Sequence, residues 1–494
     1  MSTNGKEQIS AALELHQLGK LTEAEDIYTE ILNVYPENAD ALNLFGLLKI
    51  QNNQPQEAVS YIEKAIEIKP CAYFYDSLGR AYSENYNLNN AIECFKKSLE
   101  FNQDNFDVWF NLALAYKNNM QFDKSIETYQ TALSIEPDNS AVYFNLANIY
   151  EQKGDTYSAI EYYEKANKYN KNYNDNDINY SLGISYLKIK DFEKGLKSYE
   201  YRQSKDFAIL CQTLQYKDMM TSKPLWNGKP MQDKTIFVYY ESALGDTLMY
   251  ARYLHLVKEM CAKVLFKPQY CFIDLFKEND FGTEIIDSKT LPQDVVFDAH
   301  IPLMSIPYVL GLNTEQIPFS EGYLKGNADK IKTYKEKYFN TQKFKIGIKW
   351  KGNTAHDLSR ILPLEAFYRF FDFPDTQFYS LQKGDGIEEL ENLPKDYNII
   401  NLGETFKDFS DTAAAMENLD LIICNDTSVA HLAGALGKPC WIMLPFVQNW
   451  RWHNDTSYSP WYKNVKLFKQ NEPDNWDNVF NAAYEELKTL LGNT

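Results

Sequence analysis

Several features that would narrow the class of this protein are scarce in its 494 residues. The seven cysteines form no CxxC pair and have no regular spacing, so the sequence predicts neither a disulfide framework nor a zinc site. Basic residues are outnumbered, with 50 Lys and Arg against 68 Asp and Glu and a net charge of −18. This balance argues against general binding of nucleic acid or of an anionic membrane.

Long apolar runs are also missing. No stretch approaches the roughly 18 to 20 apolar residues that a membrane span needs. The first residues, Met-Ser-Thr-Asn-Gly-Lys-Glu-Gln, are polar and contain no apolar signal core. We therefore expect a soluble, cytoplasmic protein without a membrane span, and the length suggests roughly three domains.

A period near 34 residues runs through the first 200 positions. Small residues share one register, at spacings of 34, 33, 34, 34 and 36: Ala24, Ala58, Ala91, Ser125, Ala159 and Gly195. Small residues are needed where two helices cross closely. The pattern therefore predicts about six tetratricopeptide helix pairs between residues 5 and 205, stacked into a superhelix.

The pattern changes after Arg202. An apolar run from Lys234 to Tyr240 leads through Glu241-Ser-Ala-Leu-Gly-Asp246 into an amphipathic stretch from Thr247 to Glu259 and a second apolar run, as in a β-α-β unit. A similar series begins with a predicted strand from Phe344 to Trp350. The simplest architecture is two doubly wound lobes with a crevice between them, at residues 206–340 and 341–494. Neither lobe's first strand leads into a GxGxxG turn, which disfavours a dehydrogenase.

The segment from Leu419 to Leu444 has the pattern of a strand, a polar turn, a helix of small residues and a second strand. The turn Asp426-Thr-Ser428 supplies helix-capping groups. A helix that starts at the carboxyl end of a parallel strand directs N–H groups and the positive end of its dipole into the crevice, which suits a phosphate. His431, one turn into the helix, would face the same crevice. A purely structural helix cap is the alternative interpretation.

Asp426-Thr-Ser-Val-Ala-His431 resembles the nucleotide-sugar diphosphate motif of the heptosyltransferase-like glycosyltransferases (family 9-like). The longer segment through Lys438-Pro439 and Trp450-Arg451-Trp452 resembles their relatives that carry tetratricopeptide repeats. The resemblance implies a fold of class α plus α/β. In it, a repeat superhelix precedes a GT-B transferase whose two Rossmann-like lobes hold the acceptor and the nucleotide-sugar, respectively.

The resemblance also implies roles for individual residues. Leu244-Gly245-Asp246 matches the turn whose aspartate is the catalytic base in that family, so Asp246 is the predicted catalytic residue, with an N-cap role as the alternative. Ala243 stands where the repeat-bearing relatives usually have glycine, and Arg360-Ile-Leu-Pro-Leu364 lacks a serine of their pattern. Lys383 matches a lysine near the donor phosphates in protein O-linked N-acetylglucosamine transferases. The predicted donor-binding residues are Trp350, Lys351, Gly352, Asn353, Arg360, Lys383, Asp426, Thr427, Ser428 and His431.

Two asparagines and one acidic triplet complete the candidate sites. Asn111 and Asn145 lie 34 residues apart on successive first helices, where side-chain amides could bind an extended acceptor peptide. Asp175-Asn-Asp177 mimics a metal-binding DxD motif but lies between repeat helices, so we interpret it as a surface loop. No metal or other cofactor is predicted.

These observations predict an inverting, metal-independent glycosyltransferase. It would move a sugar from a nucleotide-sugar donor to a hydroxyl of a protein or glycan acceptor that the repeats recruit. The alternative is a repeat scaffold whose α/β half does not catalyse and only binds nucleotide-sugars or protein partners. The sequence does not indicate the sugar, the base or the acceptor.

Overall fold

The computed structural model describes residues 3–171, 176–203, 222–241, 243–287, 289–290, 294–312, 317–352, 358–394, 396–453 and 457–492. The chain divides into two compact units, Met1–Asp175 and Asn176–Thr494. Among the described residues, no helix is both long enough and apolar enough to cross a membrane.

The first unit consists of helices in antiparallel pairs. They are α1 Thr3–Gln17, α2 Leu21–Val34, α3 Ala39–Gln51, α4 Pro55–Ile68, α5 Ala72–Glu84, α6 Leu88–Phe101, α7 Phe106–Asn118, α8 Phe122–Ile135, α9 Ser140–Gln152 and α10 Thr156–Tyr169. Asparagines cap several first helices; the side chain of Asn38, for example, accepts a hydrogen bond from Ala41 N at 3.0 Å.

The small residues of the 34-residue register lie where the two helices of a pair cross. On the first helices that face them, a Cβ atom added at Gly46 would lie 3.2 Å from the carbonyl oxygen of Ala58 and 2.5 Å from a side-chain carbon of Ile62, and one at Gly79 would lie 2.6 Å from the ring of Phe95. The side chain of Ser125 is buried and donates to Ala113 O at 2.6 Å. The prediction of stacked helix pairs is confirmed for this unit, and close packing explains its register.

A second register marks the turn between the helices of each pair. The second residue after each first helix has a positive φ, at spacings of 34, 33, 34, 34 and 36: Gly19, Asn53, Tyr86, Met120, Gly154 and Lys190. This left-handed conformation ends an α-helix through backbone hydrogen bonds such as Met120 N to Lys117 O at 3.0 Å. Only two of the six positions are glycine.

The second unit begins with a sixth helix pair, α11 Asn176–Lys188 and α12 Phe192–Tyr199. Leu187, Phe192 and Tyr199 share one hydrophobic core with the α/β elements of this unit. Tyr199 packs edge-on against Trp450, with ring centroids 5.9 Å apart. Arg202, which follows α12, forms a buried ion pair with Glu241 at 3.0 Å. This helix pair is therefore part of the α/β body.

Two parallel sheets form the rest of the second unit. The first has the order β3-β2-β1-β4 and the second the order β10-β9-β8-β5-β6-β7. The strands are β1 Met231–Tyr239, β2 Cys261–Lys267, β3 Thr283–Ile285, β4 Ala299–Pro302, β5 Phe344–Lys349, β6 Thr376–Ser380, β7 Ile399–Asn401, β8 Leu421–Asn425, β9 Cys440–Leu444 and β10 Val465–Lys469. The prediction that this half of the chain is α/β with parallel sheets is confirmed.

Helices follow the strands and cover the sheets. They are α13 Leu244–Tyr250, α14 Leu254–Glu259, α15 Ile273–Lys277, α16 Ile306–Val309, α17 Ala328–Tyr338, α18 Tyr368–Phe371, α19 Phe409–Glu417, α20 Ser428–Ala435 and α21 Asp477–Leu490. Helix α21 packs into the core of the second sheet beside Phe367 and Phe370.

Candidate functional site

Two helix starts from different lobes meet in the second unit. Helix α13 follows β1 of the first sheet, and α20 follows β8 of the second. A Cβ atom at Gly245 would lie 2.6 Å from Cδ2 of His431, so glycine is required for this approach. Both helices therefore start at the carboxyl ends of parallel strands and contact each other there, at the edge where such folds usually bind a ligand.

Asp246 lies at this junction and is 8% exposed. Its carboxylate forms an ion pair with the guanidinium of Arg451. Arg451 stacks over the ring of Trp450, with 4.7 Å between its guanidinium carbon and the ring centroid, and donates to Asn449 Oδ1 at 2.8 Å. Its buried Nε has no hydrogen-bond partner among the described residues. Asp246 and Arg451 are thus held together, and the Nε–H group of Arg451 donates to no described residue.

Tyrosines surround this ion pair. Tyr250 is fully buried, and burial raises the pKa of both Tyr180 and Tyr199, on which the charges of Arg451 and Asp246 also act. Tyr180 stacks on Tyr199 with centroids 5.5 Å apart. The sixth helix pair thus supplies one wall of the candidate site.

Asp426 lies just before α20, on the other side of this junction, and is 7% exposed. Burial raises the pKa of its carboxyl, while Arg360, 3.4 Å away, opposes this effect. The neighbouring Asn425 is completely buried and donates to the carbonyl of Arg360 at 2.8 Å. Asp426 therefore also has a structural role, since it helps to hold the 3-10 turn Leu358–Arg360.

His431 is buried one turn into α20. Burial, followed by the charges of Arg451, Arg252 and Arg360, holds the pKa of His431 well below its usual range. Its imidazole is therefore neutral at pH 7. The Nδ1 atom forms a hydrogen bond with the Tyr462 hydroxyl at 3.1 Å, and the ring stacks on Trp452 with centroids 5.0 Å apart. The ring is fixed with its other edge toward Gly245.

Of the remaining predicted donor-binding residues, some lie near His431, some have contacts elsewhere, and one lies outside the described residues. Thr427 and Ser428, at the start of α20, are half-buried, and Thr427 makes no side-chain capping bond. Gly352 approaches Thr427, where a Cβ atom would lie 3.1 Å from its methyl group. These three residues and Asp426 therefore lie together with His431.

Lys351, Lys383 and Trp350 are engaged elsewhere. Lys351 forms an ion pair with Glu389, and Lys383 donates to the carbonyl of Phe406. The Trp350 side chain is completely buried in the core under the second sheet. Asn353 lies outside the described residues.

Asn111 and Asn145 lie in the first unit, on α7 and α9. Asn145 accepts a hydrogen bond from Lys117 at 2.8 Å and donates to Ala141 O at 2.9 Å. Asn111 lies beside the carboxyl of Asp76, whose pKa is raised by burial. Each asparagine thus contacts a polar side chain of the preceding repeat, and the contacts form a polar line across the first helices.

Among the described residues, no three His, Cys, Asp or Glu side chains are placed to hold a metal ion together. Of the Asp175-Asn-Asp177 triplet, Asp175 lies outside the described residues.

Sequence reasoning did not assign the role of Arg451 or find Arg252 and Tyr462. Arg252 is buried between the rings of Tyr323 and Tyr462, 4.8 and 4.7 Å from their centroids, and donates to Trp461 O at 2.8 Å. It links the helix after Asp246 to the tyrosine that holds His431. The Trp450-Arg451-Trp452 triplet was the available signal for the arginine, since it interrupts apolar sequence with a charge.

Family models match the first unit. Residues 39–70, 72–105, 94–127 and 140–173 match the tetratricopeptide repeat, and residues 121–154 match the TPR repeat. Residues 39–70 and 72–173 are therefore tetratricopeptide repeats. Repeats of this class present extended surfaces for protein partners.

Known proteins resemble parts of the chain. It is 22% identical over 283 residues to Protein FlbA of Caulobacter vibrioides, a match that covers 51% of this chain and 46% of FlbA. A crystal structure of MamA is 25% identical and covers 32% of this chain and 93% of its own, with a TM-score of 0.30. YrrB, described as a TPR protein with an unusual peptide-binding site, is 19% identical and covers 33% of this chain and 86% of its own, also with a TM-score of 0.30.

Proposed function

We propose that the second unit is a glycosyltransferase that uses a nucleotide-sugar donor, inverts the anomeric centre and needs no metal. One observation carries the proposal: the buried carboxylate of Asp246 and the start of α20 meet at the carboxyl ends of two parallel sheets. The resemblance of both turns to heptosyltransferase-like motifs supports the same interpretation.

In the proposed reaction, an acceptor hydroxyl oxygen attacks the anomeric carbon of the donor sugar. The bond from that carbon to the nucleoside diphosphate breaks, and the hydroxyl proton passes to the carboxylate of Asp246. The leaving diphosphate gains negative charge. It would be stabilised by the N–H groups at the start of α20 and by Arg451 and Arg360, which pair with Asp246 and Asp426 at this junction.

Arg451 would have two roles in this mechanism, since it pairs with Asp246 and would also bind the diphosphate. In the structure its guanidinium neutralises Asp246, whereas a bound diphosphate would compete for the same cation. Donor binding would therefore draw Arg451 away from Asp246 and leave the carboxylate able to accept a proton. The order of events would be donor first and acceptor second.

The repeats would supply the acceptor. The polar line that includes Asn111 and Asn145 offers amide groups to a peptide backbone. A protein or glycan-bearing partner held there would react at a raised effective concentration.

A scaffold that binds nucleotide-sugars without turnover is the second candidate. The engagement of Asp246 by Arg451 favours it, because a permanently paired carboxylate cannot act as a base. The two candidates differ in turnover but not in donor binding.

The test is a thermal-shift screen of the purified chain against UDP-, GDP-, ADP- and CDP-linked sugars, followed by a transfer assay with the stabilising donor in excess EDTA. We expect one class of donor to stabilise the protein and transfer to persist in EDTA. An absolute requirement for added Mg²⁺ or Mn²⁺ would refute the metal-independent mechanism. Stabilisation without turnover on any acceptor would favour the scaffold.

A further inference from the structure

Lys349 occupies an unusual place in the second sheet. It is the last residue of β5, an inner strand, and is 8% exposed. Side chains alternate along a strand, so Lys349 lies on the same face of the sheet as Gly347, which packs against Leu419. Trp350 lies on the other face, in the core beside Phe367 and Phe370. Helices α19 and α20 cover the face that Lys349 shares. The ammonium group therefore lies at the carboxyl edge of the sheet, beneath the helix starts.

Six lysine and arginine side chains are buried in the part of the chain that the structure describes: Lys49, Arg202, Arg252, Lys267, Lys349 and Arg451. Five of them donate to a carboxylate or to a backbone carbonyl. The side-chain ammonium group of Lys349 makes no hydrogen bond or ion pair with any described residue. A buried ammonium without a counter-charge is costly to the fold, which makes a bound anion the simplest reason for its presence.

The surrounding groups do not supply that counter-charge. Across β8, the register partner of Lys349 is Cys424, a buried thiol. The other charged or titratable groups on the neighbouring elements have partners of their own: Asp411 with Lys330, Asp426 with Arg360, His431 with Tyr462, and Lys383 with the carbonyl of Phe406. Burial accordingly lowers the pKa of Lys349 to about 8.

We propose that Lys349 binds the diphosphate of the donor, beside the first turn of α20. The proposal rests on the proposed function of the second unit. From Cys424 the chain passes through two residues to Thr427, the N-cap of α20, so the ammonium group lies one strand away from the helix N–H groups. Lysine and helix start would together surround the leaving phosphate with donors.

Titration calorimetry of the full chain with UDP, GDP, ADP and CDP tests this inference, with the tightest ligand carried forward. Lys349→Met should weaken its binding about tenfold or more, because a charge-assisted contact is lost. Lys345→Met is the matched control. Lys345 lies on the same strand and face at the opposite edge, where it pairs with Asp420, and its loss should change the affinity less than about twofold.

A second readout does not depend on any variant. An anion favours the ammonium form, so wild-type protein at pH 8.5 should take up a proton when the ligand binds, measured in two buffers of different ionisation enthalpy. Affinity should fall as the pH rises from 8 to 10. Lys349→Arg should retain most of the affinity.

Three outcomes would overturn the proposal. Equal affinity of wild type and Lys349→Met, with the ligand still displaced by a nucleotide-sugar, would remove Lys349 and leave the proposed function standing. Binding without proton uptake by wild type at pH 8.5 would do the same, even if the variant fails to fold. Failure of the wild type to bind any of the four nucleotides would remove both proposals together.

Discussion

Arg451 controls the state of the carboxylate at the centre of the candidate site. It meets Asp246 across 205 positions of sequence, and both side chains are about nine-tenths buried. A buried pair of this kind adds little net stability, but breaking it leaves one charge without compensation.

We predict that Arg451→Met lowers the free energy of unfolding of the second unit by about 3 to 5 kcal/mol. Urea unfolding followed by tryptophan fluorescence measures this. Arg369→Met is the control, because Arg369 pairs with the largely exposed Asp477 and its loss should cost less than about 1 kcal/mol. Equal effects of the two variants would mean that the Arg451 contact is not a buried pair in solution.

Replacement of Lys349 should have the opposite effect on the free energy of unfolding from replacement of Arg451. Its pKa of about 8 lies below the value of 10.5 for an unburied lysine, so the folded state binds fewer protons than the unfolded state between those pH values. Stability should therefore rise as the pH increases from 8 to 10.5, and the penalty is fully present below pH 8. Without ligand, Lys349→Met should be more stable than wild type by up to about 3 kcal/mol at pH 7.

That gain should shrink toward zero as the pH approaches 10.5. Urea unfolding of both proteins at pH 7, 8.5 and 10 gives the comparison. A stability difference that is independent of pH would show that methionine acts through packing and that Lys349 is not a buried charge.

Sequence alone can predict those site residues that a local sequence pattern marks. Asp246 and His431 each follow an apolar run and open a helix, so strand-to-helix turns predicted both. Arg451 and Arg252 carry no such pattern, because their partners come from distant parts of the chain. The side chain of Lys349 has no partner among the described residues, so no pairing could be predicted for it. Trp350 shows the reverse case: its place at a strand end predicted a ligand contact, but strand alternation turns its side chain into the core.

Helix ends in the repeats offer a test at the scale of elements. Met120 has a φ of 58° at the end of α7 and is 70% exposed, while Gly154 has a φ of 78° at the matching position after α9. A side chain with a Cβ atom is strained in this region, and glycine is not.

Met120→Gly should therefore stabilise the first unit by about 0.5 to 1 kcal/mol, and Gly154→Met should destabilise it by a similar amount. Thermal unfolding followed by circular dichroism measures both changes. Stabilisation by Gly154→Met would contradict the assigned turn geometry.

The ends of strands and helices can be predicted from hydrophobic periodicity where a regular element packs along its whole length. The predicted strand at Phe344 to Trp350 and the observed β5, Phe344–Lys349, differ by one residue. The amphipathic stretch from Thr247 to Glu259 is instead broken by a short 3-10 segment at Ala251–Tyr253. There the buried Arg252 turns to donate to carbonyls of distant segments, which periodicity cannot show.

At the scale of the whole molecule, the repeats and the α/β body are expected to divide the work. The sixth helix pair shares the core of the α/β body. A truncated protein should therefore retain this pair and lack only the repeats before it. Deletion of residues 1–170 should leave donor binding within about twofold, because no proposed donor contact is lost, while transfer to the natural acceptor should collapse.

Calorimetry with the donor and a transfer assay on the natural acceptor, with circular dichroism to confirm folding, separate these effects. Unaltered transfer by the folded truncated protein would mean that the repeats serve assembly and that the second unit alone recognises the acceptor.

The central claim is that Asp246 is the base of a glycosyl transfer, and the most direct test compares the full-length wild type with Asp246→Asn. Donor affinity and initial transfer rate would be measured on the same preparations, with the exposed Asp274→Asn as the control. We predict a donor affinity within a few-fold of wild type and a transfer rate lower by at least about 100-fold, with no change for Asp274→Asn. Transfer by Asp246→Asn within a few-fold of wild type would contradict the account.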